Sequence, residues 1–119
     1  MLSDPDCIFC KIVRGEIPAR KVYEDELVLA FHDIHPAAPV HVLVIPKKHI
    51  AKLSDVNEED QPALGRMLWA AARIAEELGC TDGFRTIINV GRIGRQEVFH
   101  LHLHVLGGPK PLGRMIQPE

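Results

Sequence analysis

The chain has 119 residues and a formal net charge of −2, so its overall charge does not draw it to nucleic acid or to a membrane surface. The length suits a single domain spanning residues 1–119, and no apolar stretch approaches the roughly 20 residues that a membrane-spanning helix needs. No cationic start precedes an apolar run, and the number of cysteines, three, is odd. We therefore expect no signal peptide, a cytoplasmic location, and thiols or metal ligands in place of disulfides.

The first half of the chain alternates short apolar segments with turn residues. Residues 5–14 indicate a short helix that stops at Gly15. Alternating apolar and polar residues predict strands at 21–24 and 27–32, and the β-branched segment 41–45 predicts a third strand.

The second half carries the one long helix. Asn57 is a helix-capping residue, acidic residues fill the next turn, and apolar side chains then follow the 3.6 period, which predicts a helix over 57–78. Two more strands are predicted at 84–90 and 98–106, and the tail, 109–119, has no periodicity. Strands in meander order with one inserted helix predict an antiparallel α+β domain.

Three histidines, His100, His102 and His104, alternate along the last predicted strand. Successive side chains on a strand point to opposite faces, so the three imidazoles share one face and apolar residues share the other. Imidazoles in a row have no packing rationale, which leaves two chemistries: metal ligation, or acid–base and nucleophilic catalysis. No His-Glu-x-x-His pattern supplies a further ligand and a carboxylate base, which favours the second chemistry.

The segment HLHLHVL (100–106) matches the His-φ-His-φ-His-φ-φ motif of the histidine-triad (HIT) family, where φ is an apolar residue. The segments AFHDIHPAAPVHVLVIPKKHI (30–50) and QEVFHLHLHVLGG (96–108) resemble the nucleotide-binding Hint branch of that family. The resemblance covers about residues 7–113. It implies an α+β, HIT-like fold with a five-stranded antiparallel sheet and two helices. It also implies a homodimer, in which two chains pair across the long helix and a sheet edge.

The resemblance also implies an activity, the hydrolysis of purine nucleoside 5′-phosphoramidates, and of aminoacyl-adenylates by the same chemistry. His102 is the implied nucleophile, which forms a nucleotidyl-histidine intermediate without any cofactor. His104 is implied to contact the phosphate and help protonate the leaving amine, while His100 and His41 support the proton network. Two alternatives stay open: a dinucleoside polyphosphate hydrolase of the same superfamily, and a nucleotide-binding regulatory protein with incidental hydrolysis.

The nucleotide pocket is also implied by the resemblance. Asp33 matches a ribose-binding acid, whose carboxylate can accept hydrogen bonds from both hydroxyls. Asn89, Gln96 and Glu97 match positions near the phosphate. Six apolar residues match positions that line the base: Ile8, Phe9, Ile12, Phe31, Ile34 and Leu43. The chain departs from the family's small glycine-serine pattern at Arg95-Gln96-Glu97, so contacts of a serine hydroxyl do not transfer to Glu97, and the tail lacks a tryptophan.

The cysteines suggest a metal site. Cys7-x-x-Cys10 has the spacing of a ligand pair, and the resemblance to HIT proteins with this pair implies structural zinc that is also held by His49 and His100. The alternative is two partly buried free thiols. His100 cannot both bind zinc and act freely in the proton network, so these two expectations compete.

Overall fold

The computed structural model describes residues 2–117, in which two α-helices and five strands form. In chain order these are α1 (Ile8–Val13), β1 (Lys21–Glu24), β2 (Val28–His32), β3 (Val40–Pro46), α2 (Gln61–Glu77), β4 (Arg85–Ile87) and β5 (Leu103–Gly107). Short 3-10 turns at Leu53–Asp55 and Glu58–Asp60 precede α2. No helix within the described residues combines the length and the apolar character needed to cross a membrane.

The five strands form one sheet in the order β1-β2-β3-β5-β4, and every neighbouring pair is antiparallel. The expected α+β architecture is therefore confirmed. Within the pair β3 and β5, Leu43 lies opposite His104 and His41 lies opposite Leu106. Because side chains alternate between faces, His41 and His104 lie on the same face of adjacent strands.

Both faces of the sheet centre are covered, which explains why the segment HVLVI reads as an almost continuous apolar run. Val42 and Val44 pack with residues of α2 in one buried cluster, and Leu43 and Ile45 pack with residues of α1 in another. The first cluster also contains the apolar face of the histidine segment: Leu101, Leu103 and Val105. The histidines are consequently directed to the α1 side of the sheet.

The last strand is shorter than predicted. The pattern predicts a strand over 98–106, but β5 begins at Leu103, so His100 and His102 precede the ladder. The ladder stops because β3 ends at Pro46, which has no N–H to donate. Beyond this point the N–H of Leu101 bonds to the carbonyl of Ile50, 2.7 Å away, in the segment that follows β3.

Other predicted boundaries also shift. The helix predicted over 5–14 spans Ile8–Val13, and the strand predicted over 84–90 spans only the three residues of β4. The helix predicted over 57–78 begins as a 3-10 turn, in which the Asp60 carboxylate accepts the Asn57 N–H at 2.9 Å, and continues as α2 with Pro62 in its first turn. Residues 118 and 119 of the predicted tail lie outside the described residues.

Gly107 lies against the buried Cys80, and a Cβ at position 107 would stand 2.5 Å from the Cys80 Sγ atom. We expect Gly107→Ala to lower the free energy of unfolding by about 1–3 kcal/mol, because a close-packed neighbour must move. Cys80→Ala removes the sulfur, so the double variant should regain most of the loss. Urea unfolding of the parent and the three variants measures this, and strictly additive effects would contradict the contact.

Candidate active site

The environment of His102 leaves one of its ring nitrogens with a free lone pair. Its Nδ1 lies 2.7 Å from the backbone carbonyl of His100. A carbonyl only accepts, so Nδ1 carries the proton and donates it, and Nε2 of the neutral ring keeps its lone pair. The ring is buried, and its edge-to-face contact with Phe9, with centroids 5.4 Å apart, further restricts its orientation. His102 is thereby held in the tautomer that a nucleophilic imidazole requires.

A second chain of hydrogen bonds determines the tautomers of His41 and His104. The backbone N–H of Ala37 donates to His41 Nδ1 at 2.9 Å, so the proton of neutral His41 is on Nε2. His41 Nε2 lies 2.9 Å from His104 Nδ1, to which it donates. The proton of neutral His104 is therefore on Nε2, the nitrogen turned away from His41.

Burial keeps these imidazoles neutral. Desolvation, together with the neighbouring His102 and His41, lowers the pKa of His104 to about 4. Burial also lowers the pKa of His41, although the carboxylate of Asp33, 3.5 Å from His41 Nε2, acts in the opposite direction. Near neutral pH both rings are uncharged, as the tautomers above require.

The imidazole of His100 belongs to a different cluster. Its Nε2 donates to the carbonyl of Pro46 at 2.8 Å, and its Nδ1 lies 3.3 Å from Cys7 Sγ and 3.5 Å from Cys10 Sγ. The ring is fully buried, and desolvation lowers its pKa to about 4. Both ring nitrogens of His100 are thus occupied outside the His41–His104 pair, and His100 contacts His102 through its backbone carbonyl.

Cys7, Cys10, His49 and His100 fit the ligand set of a zinc ion. Their ligand atoms lie within 4.8 Å of one another, with His49 Nδ1 3.3 Å from both His100 Nδ1 and Cys10 Sγ. Tetrahedral zinc, with bonds of about 2.3 Å to sulfur and about 2.0–2.1 Å to nitrogen, has edges of roughly 3.5 Å between S and N and roughly 3.3 Å between two N atoms. The Pro46 carbonyl supplies the outer hydrogen bond that orients a ligating histidine.

Asp33, His41 and His104 also approach one another closely enough to share an ion, but their hydrogen bonds do not fit one. A metal on His41 Nε2 requires the proton on Nδ1, where the Ala37 N–H already donates. The hydrogen bonds of this cluster instead fix the positions of the protons on the neutral rings of His41 and His104.

The expected base-lining residues divide into a buried and an exposed group. One buried cluster contains Phe9, Ile12, Phe31 and Leu43, and Phe9 contacts both Phe31 and the ring of His102. By contrast, the side chains of Ile8 and Ile34 are 48 % and 85 % exposed. The structure therefore brings an apolar wall to the side of the sheet that carries the histidines, and it leaves Ile8 and Ile34 outside that buried cluster.

The polar residues expected near the nucleotide also differ in their surroundings. Asp33 lies beside His41, and its Oδ1 accepts the His35 N–H at 2.8 Å. Asn89 is half-buried and Glu97 is exposed. Gln96 is buried, and its amide is hydrogen-bonded to the backbone of Gly91, Ala51 and Val98.

Two contributors to the site were not identified in the sequence. The N–H of Ala37 and the carbonyl of Pro46 determine the protons of His41 and His100. The sequence could not reveal them, because nearly every residue carries the same backbone groups. The segment Pro36-Ala37-Ala38-Pro39 predicts only a loop.

Comparisons with known proteins point to one family. The sequence model of the HIT domain family matches residues 14–110. Protein HitA of Neisseria gonorrhoeae is 54 % identical over 104 residues, which are 87 % of this chain and 97 % of that protein. The purine nucleoside phosphoramidase of Escherichia coli (strain K12) is 53 % identical over 112 residues, which are 93 % of each chain.

Solved structures share the same fold. A HIT family hydrolase from Legionella pneumophila Philadelphia 1 matches with a TM-score of 0.84 at 51 % identity, over 88 % of this chain and 95 % of that one. A histidine triad protein from Clostridium difficile matches with a TM-score of 0.89 at 47 % identity, over 96 % of this chain and all of that one. The family model spans most of the chain, and relatives are 54 % and 53 % identical to it over 87 % and 93 % of its length, so this chain belongs to the histidine-triad (HIT) family.

Proposed function

We propose that the protein hydrolyses purine nucleoside 5′-phosphoramidates through a nucleotidyl intermediate on His102. The observation that carries this proposal is the hydrogen bond from His102 Nδ1 to the carbonyl of His100, which leaves Nε2 as a nucleophile. The relative from Escherichia coli is named a purine nucleoside phosphoramidase and the structural neighbour from Legionella pneumophila a HIT family hydrolase, and both names support hydrolysis.

The reaction proceeds in two displacements. In the first, His102 Nε2 forms a bond to the α-phosphorus while the phosphorus–nitrogen bond breaks, and the nitrogen leaves as an amine after gaining one proton. The Nε2–H of His104 faces away from His41 and donates a hydrogen bond to the leaving nitrogen, which takes its proton from solvent. In the second, water attacks the phosphorus, the bond to His102 breaks, and one proton returns to solvent with release of the nucleoside monophosphate.

The remainder of the substrate occupies the α1 side of the sheet. The carboxylate of Asp33 accepts hydrogen bonds from the ribose hydroxyls, and the apolar wall around Phe9 and Phe31 contacts the purine. An aminoacyl-adenylate is a substrate by the same attack, with a carboxylate as the leaving group.

His102→Ala removes the nucleophile. We expect the turnover of adenosine 5′-phosphoramidate to fall by about 10³-fold or more, with adenosine monophosphate binding largely retained. The assay contains excess chelator, and acid-quenched samples are examined by intact-protein mass spectrometry for a nucleotidyl adduct. The parent should show a transient adduct that His102→Ala lacks, and His35→Ala, an exposed histidine, is the control.

Normal turnover by His102→Ala would refute the covalent mechanism. Parent turnover that stops with chelator while the protein stays folded, and returns with zinc, would instead make His102 a metal ligand. A higher kcat/KM for a dinucleoside polyphosphate would assign the protein to that class of hydrolase.

We also propose that Cys7, Cys10, His49 and His100 hold a structural zinc ion. The set provides four protein ligands and no open coordination position. The ion therefore stabilises the fold and takes no part in the reaction at His102. A surface cleft lined partly by Cys7 and His49 gives the ion a path to the site.

Cys10→Ser tests the zinc proposal. The parent should bind one zinc ion per chain and lose roughly 10 °C in Tm when it is treated with chelator, since saturating ligand adds about 3 kcal/mol of stability. Cys10→Ser should lack zinc and show no effect of chelator. Cys80→Ser is the matched control, because Cys80 is buried like Cys10 but is not one of the four proposed ligands. This variant should keep its zinc. A metal-free parent with an unchanged Tm would contradict the proposal.

An exposed apolar side chain of α2 and an open sheet edge support a homodimer. Leu68 is 57 % exposed, and within residues 2–117 β4 is an edge strand that pairs on one side only. We propose that two copies pair across α2 and β4. Light scattering should give the mass of two chains for the parent and of one chain for Leu68→Arg, and a parent mass of one chain at every concentration would contradict the pairing.

A further inference from the structure

The peptide group between His100 and Leu101 is held from both sides. Its carbonyl accepts the proton of His102 Nδ1 at 2.7 Å, and its N–H donates to the carbonyl of Ile50, also at 2.7 Å. A peptide group is planar, and its C=O and N–H are directed to opposite sides. The position of the Ile50 carbonyl therefore determines the direction of the carbonyl that orients His102.

Ile50 belongs to a segment, residues 47–51, that lies outside the helices and strands. The segment follows Pro46, whose carbonyl accepts the proton of His100 Nε2 at 2.8 Å. The carbonyls of Pro46 and Ile50 thus hold the ring and the backbone of His100. The ladder of β3 supports the first carbonyl, because Pro46 is the last residue of that strand, whereas the second depends on contacts made by the segment itself.

Lys48 and Asp60 attach this segment to the turn that precedes α2. Lys48 Nζ lies 2.7 Å from Asp60 Oδ1, and Asp60 is buried. The other carboxylate oxygen of Asp60 accepts the Asn57 N–H at 2.9 Å, so the turn fixes the position of the acid. The exposed Glu59 adds a longer contact of 3.3 Å to the same ammonium. The side chain of Ile50 is buried in the cluster that contains residues of α2, and the ion pair fixes the backbone beside it.

We propose that the Lys48–Asp60 ion pair positions the nucleophile. By holding residues 47–51 against α2, the pair keeps the Ile50 carbonyl at the Leu101 N–H, and thereby keeps the His100 carbonyl at His102 Nδ1. Both members of the pair are positioning residues that act through the backbone. The inference rests on the proposed function, because it takes His102 as the nucleophile, but the tautomer of His102 can be measured without a substrate.

Loss of the ion pair has two separate consequences. Removing the ammonium of Lys48 leaves the buried carboxylate of Asp60 without its cation, which destabilises the fold. It also removes the attachment between residues 47–51 and α2. A decisive test therefore removes the attachment with and without leaving the unpaired charge.

Four variants make this separation. Lys48→Met removes the ammonium and keeps the apolar stem, Lys48→Arg keeps the charge, and the double variant Lys48→Met/Asp60→Asn removes both charges. Lys52→Met is the matched control, because Lys52 pairs with Asp55 at the surface. All samples are compared at equal zinc content and at a temperature at which each variant is folded.

The tautomer of His102 is the readout that a purely structural role would not change. Nitrogen NMR of protein labelled at histidine, assigned with His102→Ala, should show His102 protonated at Nδ1 alone in the parent, in Lys48→Arg and in Lys52→Met. Lys48→Met and the double variant should show a second population protonated at Nε2. In these two variants the Leu101 N–H should also exchange with solvent about tenfold faster or more, because its acceptor is no longer held.

The kinetics should follow the tautomer. We expect the rate of adduct formation on His102 to fall about tenfold or more in Lys48→Met and in the double variant, because a misdirected imidazole loses its line of attack. The affinity for adenosine monophosphate should change little. The double variant should regain most of the Tm that Lys48→Met loses, since no buried charge is left unpaired, but it should not regain the rate.

A parental tautomer in folded Lys48→Met or in the folded double variant would overturn the inference, and so would a parental rate of adduct formation. Recovery of the rate together with the Tm in the double variant would show that the effect is one of stability, which would also overturn it. If Lys48→Met does not fold, the double variant decides the question. If the parent forms no adduct with adenosine 5′-phosphoramidate while the His102 tautomer still depends on Lys48, the proposed function fails and the positioning of His102 stands.

Discussion

The hydrogen bond from His102 Nδ1 to the carbonyl of His100 is the interaction on which the site depends. It is 2.7 Å long and buried, and its acceptor can never donate, so it determines the tautomer of His102 without help from a charged partner. The imidazole of the same residue, His100, is held by the Pro46 carbonyl and faces the two cysteines. One residue thus joins the candidate metal cluster to the proposed nucleophile.

Burial explains why the imidazoles of His41 and His104 are neutral. The sheet is covered by α2 on one face and by α1 on the other, and the desolvation of His41 and His104 lowers their pKa values. Neutral rings have one donor and one acceptor each, so a row of them can be ordered by a few backbone groups. Protonated rings would be donors at both nitrogens and would repel one another.

Much of the fold followed from the alternation of side chains. The period-2 pattern correctly assigned Leu101, Leu103 and Val105 to the core, and the apolar stripe correctly predicted the long helix. The strand through the histidines was predicted too long, because alternation describes side-chain direction and is silent on hydrogen-bond partners. The end of the ladder depends on Pro46, which is distant in sequence from the histidines and adjacent to them only in the folded chain.

The sequence by itself determined the family, the α+β class, the row of histidines and the cysteine pair, because each of these depends on residue types at fixed spacings. The addition of His49 and His100 to the cysteine pair came from the resemblance to the family. Tertiary structure alone decided the hydrogen-bond partners of each histidine. His41 joins His104 because β3 lies beside β5, whereas the ring of His100 turns to the cysteines on α1. It also decided that the amide of Gln96 is bonded to the backbone. The hydrogen-bond partners of these side chains depend on which backbone donors and acceptors come within about 3 Å, and those contacts join residues far apart in the chain.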